Sequence, residues 1–233
     1  MKILITRPLQ QSRRFAKALD KQFGEGLEIC ISPVLEIKFF RVEINLEPFD
    51  GLIFTSESGV KAFTHLNKKT DKKVYCVGAY TSEVARKSGL SVSHTEKDVG
   101  DLKTWLVEND SEKTLLYLCG KHISNNLEMA FEESKITIVS QIIYDQVPRK
   151  LLPDAIQFLS DVRPVLVPIF SERSYEILSR QFKSSMKSSR MAICLSSAIA
   201  NKIRDDEFEK VLISPRPDLE SLINVVQEFF QNS

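Results

Sequence analysis

Six short stretches of this 233-residue chain carry groups suited to holding anions: Thr6-Arg7, Thr55-Ser56, Thr81-Ser82, Gly120-Lys121, Ser171 and Ser196-Ser197. Each stands where an apolar run gives way to an amphipathic one, so a small hydroxyl residue or glycine precedes a helix start. The first N–H groups of a helix lack intrahelical partners and carry partial positive charge, which favours carboxylates and phosphates there. Any one of these hydroxyls serves equally well as an ordinary helix cap. As a set they fit the rim of an open α/β sheet, because ligands bind outside the carboxyl ends of its strands. A ligand with several carboxylates suits such a rim, with Arg7 and Lys121 adding formal charge.

Other chemistries find little support. The chain has no glycine-rich phosphate loop, no nucleophile elbow and no helical pair of metal-binding histidines. His65, His94 and His122 have unrelated settings, and His122, two residues past Gly120, is expected at the surface. Cys30, Cys76, Cys119 and Cys194 are far apart and lie in or beside apolar runs, where reduced cysteine acts as a small core residue. No metal and no cofactor are expected. Thirty-two basic residues against thirty-one acidic ones leave no excess to gather nucleic acid or an anionic membrane. The basic clusters, Lys68-Lys69 with Lys72-Lys73 and Lys183 to Arg190, are interrupted and read as solvated loops. The chain opens on Lys2-Ile3-Leu4-Ile5, a strand rather than a cleavable apolar segment, and no apolar run nears the ~20 residues that span a bilayer. A reduced, soluble, cytoplasmic monomer is expected.

Short apolar runs alternate with amphipathic stretches almost throughout, which predicts an α/β fold of parallel sheet and crossover helices. Strands are expected near 2–5, 27–31, 51–54, 73–77, 114–118, 136–142, 164–169, 190–194 and 209–213. Part of the pattern occurs twice. Phe54-Thr55-Ser56-Glu57 recurs as Phe170-Ser171-Glu172, with Ser171 115 positions after Ser56. Val77 to Ser82 has a weaker echo in Ile193 to Ser197, with Thr81 and Ser197 116 apart, and Asp101-Leu102 recurs 117 later as Asp218-Leu219. Two copies of one α/β unit follow, with a ligand cleft expected between two similar lobes.

Two extended segments break the alternation, 34–40 and 143–148. The piece at 2–31 resembles the one at 114–142 rather than the one that follows it. The expected organisation is therefore a discontinuous domain, 1–33 with 149–233, and an inserted domain, 41–142, joined by two linker strands acting as a hinge. All eight glycines lie between Gly24 and Gly120. The second copy lacks counterparts of Gly78 and Gly89, so its loops must take another path.

The chain resembles the uroporphyrinogen-III synthase family along nearly its whole length. The resemblance is carried by Ile3-Leu4-Ile5-Thr6-Arg7-Pro8, Pro33 before Val34, Phe49 through Ser56 leading to Val60, Val77-Gly78 with Thr81, and Val139 through Tyr144. Phe170-Ser171 and Ser196-Ser197 match more weakly. The chain departs from the family at Cys194, usually glycine, and at Ser197, commonly threonine.

The resemblance implies a cofactor-free lyase that closes the linear tetrapyrrole hydroxymethylbilane, inverts ring D and yields uroporphyrinogen III for haem biosynthesis. It implies Tyr144 as the residue helping the hydroxyl leave, Thr81 and Ser197 as hydroxyls facing the cleft, and Ser56 and Ser171 as strand-end serines holding substrate carboxylates. Thr6, Arg7, Ser82, Gly120, Lys121 and Ser196 complete the expected substrate-binding set, and a transient contact with hydroxymethylbilane synthase is expected. Two other readings stay open on the residues alone: a non-catalytic two-lobe binder of a small polycarboxylate, and a degenerate paralogue of the synthase.

Overall fold

The computed structural model describes residues 1–66, 69–110, 112–123 and 126–231; Lys68 of the first basic cluster lies outside them. The chain divides into two compact units, Met1–Glu36 with Val147–Ser233, and Ile37–Gln146. In chain order the first unit begins with β1 (Lys2–Ile5), α1 (Leu9–Phe23) and β2 (Glu28–Ile31), and β3 (Leu35–Phe39) then leads into the second. There follow β4 (Gly51–Phe54), α2 (Glu57–His65), β5 (Lys73–Val77), α3 (Ala79–Lys87), β6 (Val92–Glu96), α4 (Val99–Asn109), β7 (Thr114–Gly120) and α5 (Leu127–Phe131). The long strand β8 (Thr137–Pro148) returns the chain to the first unit. That unit is completed by α6 (Pro153–Ser160), β9 (Val165–Ile169), α7 (Glu172–Ser179), β10 (Arg190–Cys194), α8 (Ser197–Ala200), β11 (Lys210–Ile213) and α9 (Leu219–Gln231).

One sheet runs β11-β10-β9-β1-β2 and the other β3-β8-β7-β4-β5-β6. Matched through the sequence repeat, β9, β10, β11, β1 and β2 correspond to β4, β5, β6, β7 and β8. The two sheets therefore share one strand order, with β3 added at an edge of the second. Neighbours within the shared order are parallel. Between β3 and β8 the bonds Phe40 N–H to Ile143 O and Arg149 N–H to Val34 O mark an antiparallel pair. The strand order reverses between β4 and β7, and at the equivalent place between β9 and β1.

Both faces of each sheet are covered by helices, so the central strands are apolar on both sides. In β4, Leu52 and Phe54 pack on one side with Val60, Phe63, Leu116 and Leu118, while Ile53 packs on the other with Tyr75, Leu102 and Leu115. The first unit repeats the arrangement, Leu4, Val165 and Val167 facing one way and Ile3, Ile5 and Leu166 the other. Cys76, Cys119 and Cys194 are buried free thiols, and burial pushes Cys76 and Cys194 up to about 12 and Cys119 to about 11. No helix among the described residues is long and apolar enough to cross a membrane.

The ladder opens at both reversal points. Between β4 and β7 it stops at the pair Ile53 and Tyr117, one residue short of the end of β4. In the first unit only Lys2 with Val165 and Ile3 with Leu166 are paired. Proline explains this: Val165 N–H donates to Ser189 O, so residues 165, 167 and 169 turn towards β10 and Pro168 turns towards β1. Pro168 has no N–H to offer there, and the β1–β9 ladder ends before it.

Two details depart from the sequence expectation and a third follows it. β6 was not expected, because Val-Ser-His-Thr-Glu offers one aliphatic residue; its pairing with β5 at the sheet edge makes it a strand. β8 is one twelve-residue strand rather than a strand ending at 142 followed by a linker, since β7 pairs with it as far as Tyr144. The glycine asymmetry has its expected consequence: Gly78, at φ 86°, starts the nine-residue α3, whereas its counterpart α8 has four residues.

Gly59 shows how closely α2 lies on the sheet, since a Cβ there would stand 2.8 Å from the Leu118 carbonyl oxygen. In a free helix alanine is better than glycine by about 1 kcal/mol. Here Gly59→Ala is expected to destabilise the chain by about 1–3 kcal/mol, read as a lower midpoint in denaturant unfolding.

Candidate functional site

The reversal point of the second unit brings four of the expected residues into contact. Ser56, just past β4, caps α2 by accepting from Gly59 N–H at 3.2 Å, and its Oγ lies 3.0 Å from the Tyr144 hydroxyl. Tyr144 stands on β8, separated from β4 by β7. Its ring reaches across because β7 ends in Gly120: a Cβ at that position would lie 2.6 Å from Tyr144 Cζ and 2.7 Å from Cε2. No residue but glycine leaves this passage open.

A bulge gives Tyr144 its aim. Cys119 pairs with Ile142, but Gly120 pairs with Tyr144, so β8 carries one extra residue at this step. A strand without the bulge alternates sides. Here Ile142 is exposed while Ile143 and Tyr144 are both buried. Ile143 fills the core beside Phe54 and Leu118, and Tyr144 swings over Gly120. Lys121 N–H then donates to Tyr144 O at 2.9 Å and holds the step in place.

The electrostatics keep the phenol protonated. Burial pushes Tyr144 above the ordinary tyrosine value, and the Ser56 hydrogen bond pulls it partly back. Serine has one proton to donate and can accept others. With Ser56 accepting from Gly59, its own proton is able to go to the Tyr144 oxygen, which leaves the phenol proton available to a ligand. Beside this pair, Thr55 Oγ1 and the Tyr117 hydroxyl are 2.8 Å apart, and burial raises Tyr117 to about 12. Asp145 lies 3.3 Å from His122 Nε2 and 4.0 Å from Lys121 Nζ, so both exposed side chains of the β7 end share one carboxylate.

Thr81 and Ser82 begin α3 past the neighbouring strand β5. Thr81 is buried, with no side-chain hydrogen bond among the described residues. The Ser82 hydroxyl accepts from Arg86 and from Thr95 Oγ1, which ties α3 to β6 and commits Ser82 to packing.

The reversal point of the first unit is built from other residues. Thr6 is buried past β1, and the Arg7 guanidinium carbon lies 3.9 Å from the centre of the Phe170 ring, past β9. Ser171 caps α7, accepting from Ser174 N–H at 3.1 Å. Ser196 and the exposed Ser197 start α8 past β10, and Ser196 makes no side-chain cap.

A family model described as uroporphyrinogen-III synthase HemD matches residues 14–224. The chain belongs to the uroporphyrinogen-III synthase family. It is 34% identical over 94 residues to a putative uroporphyrinogen-III synthase of Methanocaldococcus jannaschii; the match spans 37% of this chain and 38% of that relative's length. Its fold is similar to the crystal structure of uroporphyrinogen-III synthetase from Helicobacter pylori, at TM-score 0.69 and 17% identity, over 98% of this chain and 99% of that one. A mutant uroporphyrinogen III synthase from Thermus thermophilus is similar at TM-score 0.54 and 14% identity over the whole of both chains.

Membership of the family rests on the whole match, whereas the geometry of the site rests on contacts that sequence reading only partly reached. Ser56, Gly120, Lys121 and Tyr144 were each legible as strand-end or matching residues; that they meet was not. Thr55 with Tyr117, and Phe170 with Arg7, were missed as pairs. Their only sequence signal is position at a strand end, because the partners are 62 and 163 residues apart.

The Gly120–Tyr144 contact makes a direct prediction. Gly120→Ala should cost about 1–3 kcal/mol through overpacking, measured by denaturant unfolding. The same change made in a Tyr144→Ala background should cost markedly less, since the ring it would strike is gone.

Proposed function

We propose that this chain is a uroporphyrinogen-III synthase: it closes hydroxymethylbilane with loss of water and inversion of ring D. The observation that carries the reading is the Tyr144 phenol, protonated and held by Ser56 at the open end of the second unit's sheet. The reaction is redox-neutral and removes one water, so it calls for acid assistance and shape rather than a cofactor.

Tyr144 donates its proton to the departing hydroxyl, and Ser56 stabilises the phenolate that remains. The bilane is left as an azafulvene cation. Left alone, that cation would close at the free carbon of ring D and give the uninverted isomer. The protein's task is to fold the chain so that the substituted carbon attacks first, forming a spiro intermediate that fragments and recloses. The proton lost from ring D on the final closure balances the one Tyr144 gave. Orientation of this kind supplies several kcal/mol, and general acid help adds roughly a hundredfold to ten-thousandfold.

Carboxylate recognition falls to the strand ends of both units. In the second, Ser56, Thr81, Gly120 and Lys121 offer hydroxyls, helix N–H groups and one cation; in the first, Thr6, Arg7, Ser171, Ser196 and Ser197 do so. Ser82, already occupied by Arg86 and Thr95, positions α3. The same reading has the chain as a cytoplasmic monomer in two domains, 1–33 with 149–233 and 41–142, whose linkers 34–40 and 143–148 flex. The instability of the bilane favours a transient contact with hydroxymethylbilane synthase.

Hydroxymethylbilane generated in place by its synthase, followed by separation of the product isomers, tests the reading. Isomer III is expected, and isomer I alone would overturn it. Tyr144→Phe should lower turnover about tenfold to a hundredfold, up to the lower end of the general-acid range, and wild-type turnover in that variant would remove Tyr144 from the mechanism. Because the acid must be protonated and its pKa lies above the ordinary value of about 10, the Tyr144 contribution to kcat should be undiminished from pH 7 to about 9 and fall only above that.

A further inference from the structure

The two reversal points occupy the same place in the strand order and carry different chemistry. The second unit has Thr55 past β4 and Lys121 past β7. There Thr55 pairs with Tyr117, and Lys121 shares Asp145 with His122. The first unit has Phe170 past β9 and Arg7 past β1 at its own opening, and these two touch each other. Phe170 is half-buried, its ring 5.2 Å from that of the fully buried Phe15 at an interplanar angle of 82°, edge to face. One side of the ring is thus fixed by the core, and Arg7 lies over the ring at 3.9 Å. Pro168 keeps this end of the sheet open by ending the β1–β9 ladder two residues earlier.

We infer that Phe170, braced by Phe15, is a positioning residue that fixes the plane of the Arg7 guanidinium, so that Arg7 meets a substrate carboxylate with its donor fork already set. The inference rests on the synthase reading and deepens it: it gives Arg7 a preset orientation for one of the substrate's carboxylates. Three physical points carry it. A guanidinium stacked on a ring keeps its in-plane N–H groups directed outwards, and those are the groups that bind a carboxylate bidentately. A long side chain that is already ordered loses less freedom when it binds. Ser171, at the start of α7 beside Phe170, adds helix N–H groups and a hydroxyl at the same strand end.

The test is a double-mutant cycle between Arg7 and Phe170, read in two ways: KM and kcat for hydroxymethylbilane, and the dissociation constant of uroporphyrin, a stable polycarboxylate tetrapyrrole. Arg7→Ala should raise KM and the uroporphyrin constant about tenfold to a hundredfold, the scale of a lost charged hydrogen bond. Phe170→Leu should raise both about two- to fivefold, the scale of an exposed cation–π contact, with kcat changing less than KM. Arg7→Lys, which keeps the charge and loses the planar fork, should weaken binding at least as much as Phe170→Leu, and Phe170→Tyr, which keeps the ring, should match wild type. In the Arg7→Ala background Phe170→Leu should have no further effect on either constant.

An equal effect of Phe170→Leu with and without Arg7 would overturn the inference, since Phe170 would then act through packing alone. Wild-type binding by Arg7→Lys would overturn it as well, and that variant leaves the core untouched should Phe170→Leu fail to fold. If wild type yields only isomer I, the synthase reading falls, and the uroporphyrin cycle still decides whether Phe170 works through Arg7.

Discussion

A parallel sheet with a crossover helix after each strand delivers every strand's carboxyl end to the same edge. That constraint organises each unit of this chain. In the second unit, β4, β5, β7 and β8 all finish on one rim, and the order reverses between β4 and β7, so successive helices leave to opposite sides and the rim is open there. Everything chemically distinctive in that unit stands at this opening: the Ser56 cap, the Gly120 passage and the Tyr144 phenol. The first unit has the same order and the same opening, widened by Pro168.

Placing a phenol at such an opening requires the backbone to give way in two places. The bulge at Gly120 and Tyr144 breaks the alternation of β8, so that Ile143 and Tyr144 are both buried, with the Tyr144 hydroxyl reaching Ser56 at the strand ends. Glycine at the end of β7 then removes the side chain the ring would strike. Both devices depart from regular strand structure, and each serves the placement of the Tyr144 ring. Their presence together, aimed at a serine that also caps a helix, is the local inconsistency expected where a protein trades regularity for chemistry.

The duplicated scaffold did not keep duplicated chemistry. At the same opening in the strand order one unit carries Thr55 and Lys121 and the other Phe170 and Arg7. One rim ends in a part-buried hydroxyl pair, the other in a cation lying over an aromatic ring. α3 and α8 diverge in the same way, nine residues against four, since only the first has a glycine able to take the positive φ that starts it. Shared topology fixes where a ligand group can sit, and the residue at that spot fixes what kind of group it is.

The periodicity of the chain, its repeat and its resemblance to a family determined most of the strands, the two-copy organisation and the strand-end residues, because each of these is written in local composition and spacing. β6 escaped, since Val-Ser-His-Thr-Glu becomes a strand only by pairing at a sheet edge. So did the continuity of β8, which depends on β7 alongside it. The meeting of Ser56 with Tyr144, 88 residues away, and of Arg7 with Phe170 was decided by the tertiary structure alone. The physical reason is that a side chain's reach is only a few ångströms, so its partners are chosen by strand order, by a bulge and by the absence of a Cβ, none of which leaves a periodic trace along the chain.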